Sequence, residues 1–426
     1  MSGNLFSDLS VGLYSFDLQT IEIDNESLGL SDDDARKIIK SADLYSLSGN
    51  ELKFYQTYLH EFIHYFDGTA SLWGLEFCGR LYRYFETEDD NRFNVLALNA
   101  SEIFLHDKFV PSGEKLTFTN LTVGIDYDDE HGGHSIVYYE FNKKPVYSVP
   151  LSLLSVLEGH AYSQEKLFTW KVYSAQNDII LQHELMREVE ALLKDPDRFE
   201  YTCILSMVYQ CFPELDFSQK LVTVIGVCSL ALNVSSTRMA ATPEWIIDRA
   251  FPCQPCEQQS SIRLDFMRGM NRASYAFIIL FLFNLKKSEN IDINRPICEQ
   301  IEEVLDECIP EPFGDIGLKM ETDVVMKSLE SLHVNLVLHS ALQMQGRSRY
   351  DFDLRSIELP QIMLSSFEYA EAANPFHYSM LEHDNKYSSQ KKTLDQKRKG
   401  YELNKKHLKP NQSHQWLEEM KTGNSG

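Results

Sequence analysis

The sequence predicts an α+β fold whose second half is mostly helical. Residues 52–66 place apolar side chains at helical spacing, and residues 116–127 and 135–141 alternate apolar and polar side chains as strands do. We expect a domain at 1–175 that contains a β insertion, a helical domain at 176–384 and a basic, mobile tail at 385–426. Within the helical domain, the periodicity predicts helices at 179–193, 202–210, 219–234, 262–285, 296–309 and 322–345.

The elements of the first domain follow from local patterns. Residues 11–23 alternate like a β element, and residues 32–40 have helical spacing behind Ser31, a favourable N-cap residue. The long helix that follows is expected to begin with a capping box, because Ser48 and Glu51 have the S-x-x-E form, and to end at Gly68. A second helix, at 151–165, follows Pro150.

The long helix carries an HExxH motif at residues 60–64. His60 and His64 are four positions apart, so their imidazoles project from the same face and can bind one zinc ion. Glu61 lies beside that face, where a carboxylate can act as the general base. The histidines fall outside the apolar stripe of the helix, so a solvated polar face with two incidental histidines is the alternative interpretation.

A hydrolytic zinc site needs a third protein ligand and an open position for water. The best candidate from the sequence is Glu158, which shares a mostly apolar helical face with Ala161, a residue small enough for close helix packing. A buried carboxylate needs a partner, and a metal ion would provide one. Other residues of suitable type also remain open as the third ligand, namely Glu76, Glu165, His160 and Asp67.

The HExxH motif followed by E-x-x-A, at Glu158 to Ala161, resembles the gluzincin clan of zinc metallopeptidases. The resemblance covers residues 52–66 and 151–165, and 93 residues separate His64 from Glu158, more than in compact members of the clan. It implies a zincin-like catalytic domain that cleaves protein or peptide substrates. His60, His64 and Glu158 would then bind Zn²⁺ and Glu61 would be the base, with Tyr162 or His160 near the oxyanion.

Two other functions remain open on the sequence. The first is a regulatory or scaffold protein with a vestigial or structural site, whose helical half binds a protein partner. The second is a di-metal carboxylate protein, because Glu61-x-x-His64 and Glu330-x-x-His333 both have the Glu-x-x-His spacing of that class. That class needs two further inward glutamates on separate helices, and the β insertion does not suit a plain bundle.

Several weaker motifs are assigned to structural roles. Cys253 and Cys256 have the spacing of half a zinc site, but no second CxxC follows, so we expect a loop with two free thiols. His131 and His134 flank two glycines between predicted strands, so we expect both histidines to be solvated in a hairpin turn. The acidic residues at 126–130 lack the spacing of a calcium loop and predict a charged hairpin tip.

The composition predicts a cytoplasmic globular enzyme. The chain has 426 residues, 43% of them hydrophobic, and its eight scattered cysteines suggest reduced thiols rather than a disulfide framework. No secretory signal is evident, and the apolar segments 221–234 and 275–285 are too short to span a bilayer. The net charge of −23 disfavours nucleic-acid binding by the main body. The basic tail is expected to lie against that acidic body or to bind an acidic partner or nucleic acid.

Overall fold

The computed structural model describes residues 12–15, 20–41, 43–86, 118–128, 132–252, 255–286, 291–292, 295–331, 361–364 and 369–370. The described helices are α1 (Asp32–Ile39), α2 (Gly49–Ala70), α3 (Leu72–Glu86), α4 (Leu153–Ala175), α5 (Ile179–Leu192), α6 (Phe199–Cys211), α7 (Phe217–Asn233), α8 (Ser236–Ala240), α9 (Glu244–Ala250), α10 (Cys256–Met267), α11 (Arg272–Lys286), α12 (Ile297–Cys308) and α13 (Asp315–Ser331). The described strands are β1 (Gly12–Ser15), β2 (Thr20–Ile23), β3 (Asn120–Asp128), β4 (Gly132–Phe141), β5 (Lys144–Pro150), β6 (Gln361–Leu364) and β7 (Tyr369–Ala370). The predicted α+β class is therefore confirmed, with helices predominating.

The described strands form two sheets. One has the order β1-β2-β6-β7, in which β1 and β2 are antiparallel, with Tyr14 opposite Ile21, and β2 runs parallel to β6. The other is the antiparallel meander β3-β4-β5, which lies in the β insertion that the sequence predicts. In the described part of the first sheet, β1 is an outer strand.

Helix α4 lies at the centre of the described structure, because it packs against α2, α6 and α7. A smaller apolar cluster fills the space between β1, β2, α1 and α2, and α4 contributes Ala161 and Val172 to it. A larger cluster contains the meander and most of the later helices, and it takes Val156 and Leu157 from α4. Burial on several sides explains why α4 is rich in small and apolar residues.

The ends of α2 differ from the sequence prediction. Ser48 is the N-cap residue, but its side chain makes no capping hydrogen bond, so the predicted capping box is wrong. The helix also continues through Gly68 to Ala70, and the predicted end at Gly68 is wrong. The turn comes at Ser71, whose hydroxyl donates to the Asp67 carbonyl at 2.5 Å and accepts the Gly74 N–H at 2.9 Å.

The segment predicted as one helix at 262–285 contains two helices, α10 and α11. Gly269 and Asn271 between them have positive φ angles of 68° and 66°. Gly269 ends α10 in the way that a glycine in left-handed conformation commonly ends a helix. Asn271 then accepts the Ser274 N–H at 3.1 Å and caps α11.

His134 is not a solvated turn residue, so that part of the prediction is wrong. It lies in β4 and is buried, while the predicted antiparallel pairing of β3 with β4 is confirmed. The neighbouring Gly133 allows β4 to pack closely against α10, because a Cβ at this position would lie 2.5 Å from the Ser261 Oγ of α10.

Several predictions lie outside the described residues. These are the ones on His131, Cys253, residues 129–130, His333 and the tail 385–426, together with the side chains of Cys256 and Glu330. The division near residue 176 stays a prediction. No helix within the described ranges has both the length and the apolar character that a bilayer crossing requires.

Candidate metal centre

A row of polar contacts joins α2 to α4. It runs from Gln56, whose Nε2 donates to Thr169 Oγ1 at 2.7 Å, to Asp67, whose carboxylate contacts His160 Nδ1 at 2.9 Å. Residue numbers rise along α2 as they fall along α4, so the two helices are antiparallel. The HExxH segment lies in the middle of this row and faces Glu158 across the interface.

The structure brings His60, His64 and Glu158 together. The Nε2 atom of His60 lies 3.2 Å from Glu158 Oε2, and the Nε2 atom of His64 lies 3.2 Å from Glu158 Oε1. One ligand atom from each side chain lies within 4.8 Å of the others. Among the described residues, this is the one group of three such side chains whose geometry suits a metal ion.

The types of donor suit zinc, which proteins bind through imidazole nitrogens and carboxylate oxygens. The two histidine nitrogens contact different oxygens of the Glu158 carboxylate, each at 3.2 Å. Two imidazoles and one carboxylate also leave the fourth position of a tetrahedron open, as in catalytic zinc sites.

The site is buried, so the alternative of a solvated polar stripe on α2 is wrong. Only 5% of His64 and 3% of Glu158 are exposed to solvent. Burial raises the pKa of Glu158, but His64 and His60 outweigh it and lower that pKa to about 2. Burial lowers the pKa of His60, yet its hydrogen bonds to Glu158 and Glu165 raise it well above the ordinary value.

Glu61 lies beside this group and under strand β1. Burial is the main cause that raises the pKa of Glu61, and the two histidines and a hydrogen bond from the Tyr14 backbone N–H partly offset it. A Cβ at Gly12 would lie 3.0 Å from Glu61 Oε1 and 2.5 Å from Thr57 Cγ2. A residue without a side chain at position 12 thus leaves room for the Glu61 carboxylate beneath β1. A raised pKa is what a general base working near neutral pH requires.

A second carboxylate contacts the outer side of His60. Glu165 Oε2 lies 3.2 Å from His60 Nδ1, and Glu165 Oε1 lies 3.0 Å from Lys166 Nζ. Burial raises the pKa of Glu165, but Lys166 and His60 together lower it to about 2. Glu165 therefore lies behind a candidate ligand and does not join the group of three.

The remaining candidates for the third ligand have other contacts. Asp67 and His160 form a buried pair, in which the His160 Nδ1 lies 2.9 Å from each carboxylate oxygen of Asp67. Glu76 is paired with Arg272 Nη2 at 3.2 Å. The Tyr162 ring lies 5.1 Å from Lys166 Nζ, and burial raises the pKa of its hydroxyl. These contacts favour Glu158 over Asp67, His160 and Glu76 as the third ligand.

Two features of the site were missed by the sequence analysis. Tyr201 lies on α6, which packs against α4, the helix of Glu158, and burial followed by the charge of Glu158 raises the pKa of Tyr201 to about 12. Strand β1 supplies Gly12 and the Tyr14 N–H. The sequence contains no motif around Tyr201. Helical periodicity predicts neither the position of Tyr201 nor the packing of β1 against Glu61.

Comparisons of the chain with protein-family models, with curated proteins and with solved structures found no match. The geometry of the site therefore carries the functional argument.

Proposed function

We propose that the protein is a zinc-dependent metallopeptidase of the gluzincin type, with a zincin-like arrangement of α2 and α4. The observation that carries this proposal is the convergence of His60, His64 and Glu158 from two helices, with Glu61 buried beside them. The metal ligands would be the two His Nε2 atoms and the Glu158 carboxylate.

A zinc ion bound by these side chains would polarise a substrate carbonyl and make water more acidic. Glu61 would accept a proton from the attacking water and return it to the leaving amine nitrogen. The hydrogen bond from the Tyr14 backbone N–H would help to hold the Glu61 carboxylate in place for both transfers. Burial of the site strengthens each of these electrostatic interactions.

Strand β1 supports a peptide as the substrate. It is an outer strand in the described part of its sheet, and Gly12 lies directly over Glu61. An extended peptide that adds to such an edge makes main-chain hydrogen bonds that do not depend on sequence. Such binding would place a scissile carbonyl close to Glu61 and to the three ligands.

One observation supports a second candidate, a regulatory or scaffold protein with a site that no longer catalyses. The 3.2 Å contacts of Glu158 with His60 and His64 also suit direct hydrogen bonds to protonated histidines. In that state the three side chains would join α2 to α4 without a metal ion.

The experiment compares wild type, Glu61→Gln and the control Glu51→Gln, which makes the same change at an exposed position of α2. Zinc content is measured by mass spectrometry and cleavage with a quenched-peptide library. We expect about one zinc per chain in all three, and an activity loss of about 10²- to 10⁴-fold in Glu61→Gln alone. A wild type without zinc and without cleavage would favour the scaffold.

We also infer a cytoplasmic location, as cysteine usage suggests. Eight scattered cysteines suit a reducing compartment better than a disulfide framework, and four of the six whose side chains are described are buried.

A further inference from the structure

We propose that Glu165 is a positioning residue for the metal centre and that Lys166 holds it in place. The inference rests on the proposed zinc site and names two residues that set the strength of metal binding there.

His60 has a carboxylate on each side of its ring. Its Nε2 lies 3.2 Å from Glu158 Oε2, and its Nδ1 lies 3.2 Å from Glu165 Oε2. Glu158 and Glu165 are seven residues apart on α4, so they lie on the same face of that helix, two turns from each other. A hydrogen bond from Nδ1–H to Glu165 leaves Nε2 with the lone pair that a metal ion needs.

Lys166 fixes the Glu165 carboxylate. Its Nζ lies 3.0 Å from Glu165 Oε1 and 2.8 Å from Glu188 Oε1, while the other oxygen of Glu165 faces His60. Both oxygens of Glu165 are therefore used, and rotation of the carboxylate would break one of the two contacts. The Lys166 side chain is 9% exposed and that of Glu188 is 60% exposed, so Lys166 is buried on the side of Glu165, whereas its contact with Glu188 lies at the surface, outside the metal centre.

The backbone near Glu165 is also tied to α2. Thr169 Oγ1 donates to the Glu165 carbonyl at 2.9 Å and accepts from Gln56 Nε2 at 2.7 Å. Gln56 lies one helical turn before His60 on α2. This second link fixes the separation of the two helices at the level where Glu165 meets His60.

A carboxylate that orients a ligating histidine raises the basicity of that ligand and restricts its ring. Loss of such a partner typically weakens metal binding by about 10- to 100-fold. We expect that range for Glu165→Ala. We expect a smaller loss for Glu165→Gln, because its amide oxygen still accepts the His60 N–H but lacks the negative charge.

The experiment measures the zinc dissociation constant of the full chain by competition with a chelator. The variants are Glu165→Ala, Glu165→Gln, Lys166→Met and the control Glu188→Gln, which removes a surface charge that contacts Lys166 but not Glu165 or His60. Unfolding of the metal-free protein in urea and the visible spectrum of the Co²⁺ form are recorded alongside. If Glu165 and Lys166 had only a structural role, their variants would be less stable than wild type but would have the same zinc affinity and the same cobalt spectrum.

We expect zinc affinity to fall in the order wild type, Glu165→Gln, Glu165→Ala, with Lys166→Met also weaker than wild type and Glu188→Gln within about three-fold of it. Equal affinity of wild type and Glu165→Ala would overturn the inference, as would an equal loss in Glu188→Gln. Should Glu165→Ala fail to fold, the order of wild type, Glu165→Gln and Lys166→Met decides. Failure of the proposed function looks different, because wild type itself would then bind no zinc.

Discussion

Replacement of Gly12 by alanine tests whether β1 holds Glu61 in its working position. The new Cβ would lie 2.5 Å from Thr57 Cγ2 and 3.0 Å from both Cγ and Oε1 of Glu61, whereas ordinary contacts begin at 3.4 Å. Thr57 cannot easily turn away, since its hydroxyl donates to the Lys53 carbonyl at 3.1 Å. To avoid the clash, β1 or Glu61 must move by roughly 1 Å. Shifts of this kind, forced by an added methyl group in a packed interior, usually cost about 1–3 kcal/mol of stability.

The same displacement would act on catalysis. A shift of about 1 Å in a catalytic group can cost about 10²-fold in rate, whereas the three atoms nearest to the new Cβ belong to Thr57 and Glu61 and not to the candidate ligands His60, His64 and Glu158. We expect Gly12→Ala to lose about 1–3 kcal/mol in urea unfolding and about 100-fold in kcat/KM. Its zinc content should equal that of wild type.

Gly159→Ala is the matched control on α4, next to Glu158. A Cβ there would meet Cys228 Sγ at 3.6 Å, with Ile204 Cδ1 and Val224 Cγ1 at 3.8 Å, which are ordinary contacts. Helix propensity should make this variant more stable by up to about 1 kcal/mol. If Gly12→Ala unfolds and cleaves like wild type, the position assigned to Glu61 under β1 is wrong.

Three further predictions concern metal binding, the loss of stability at low pH, and the buried contact between Asp67 and His160. His60→Ala should bind no zinc. In wild type, removal of zinc by a chelator should lower the free energy of unfolding by about 4 kcal/mol, compared with protein in free zinc at 1,000 times the dissociation constant. Equal unfolding with and without the chelator would contradict this. Metal-free protein should lose stability as the pH falls from about 5 towards 2. The pKa values of Glu158 and Glu165 are about 2 in the folded protein, below their ordinary 4.5, so the unfolded chain binds protons first. In urea unfolding, the free energy of unfolding of Glu165→Gln should fall less steeply with decreasing pH than that of wild type. Asp67→Ala should cost about 1–3 kcal/mol, because it leaves His160 Nδ1 buried without its hydrogen-bond partner. Asp33→Ala, at a side chain 81% exposed, should change urea unfolding little, so similar losses in both variants would refute the buried pair.

Periodicity and motif spacing predicted much of the local structure. Helix α5 at Ile179–Leu192 and the strand pair β3 and β4 are close to their predicted ranges, and Ser31 caps α1 by accepting the Asp34 N–H as expected. These features depend on side chains within a few residues of one another, so the sequence contains the information directly. The meeting of Glu158 with the HExxH helix was also expected, from the E-x-x-A motif.

The remainder depends on tertiary contacts that a local pattern does not contain. The end of α2 is set by Ser71 and by the close packing of Gly74 on α2, because a Cβ at Gly74 would clash with the Asp67 carbonyl oxygen. His134 is buried in β4, a strand that packs against α10, and this contact joins segments more than 100 residues apart. The break between α10 and α11 could have been predicted, since Gly269 and Asn271 are common residues at helix ends.

The wide separation of Glu158 from His60 and His64 along the chain would affect how the protein acquires a metal ion during synthesis. His60 and Glu158 are 98 residues apart. At about 5–20 residues per second, translation needs some 5–20 s to pass from one to the other. During that interval the nascent chain presents two histidines without the carboxylate, a weaker and less selective chelator. We therefore expect zinc to be retained only after α4 has emerged from the ribosome and docked on α2.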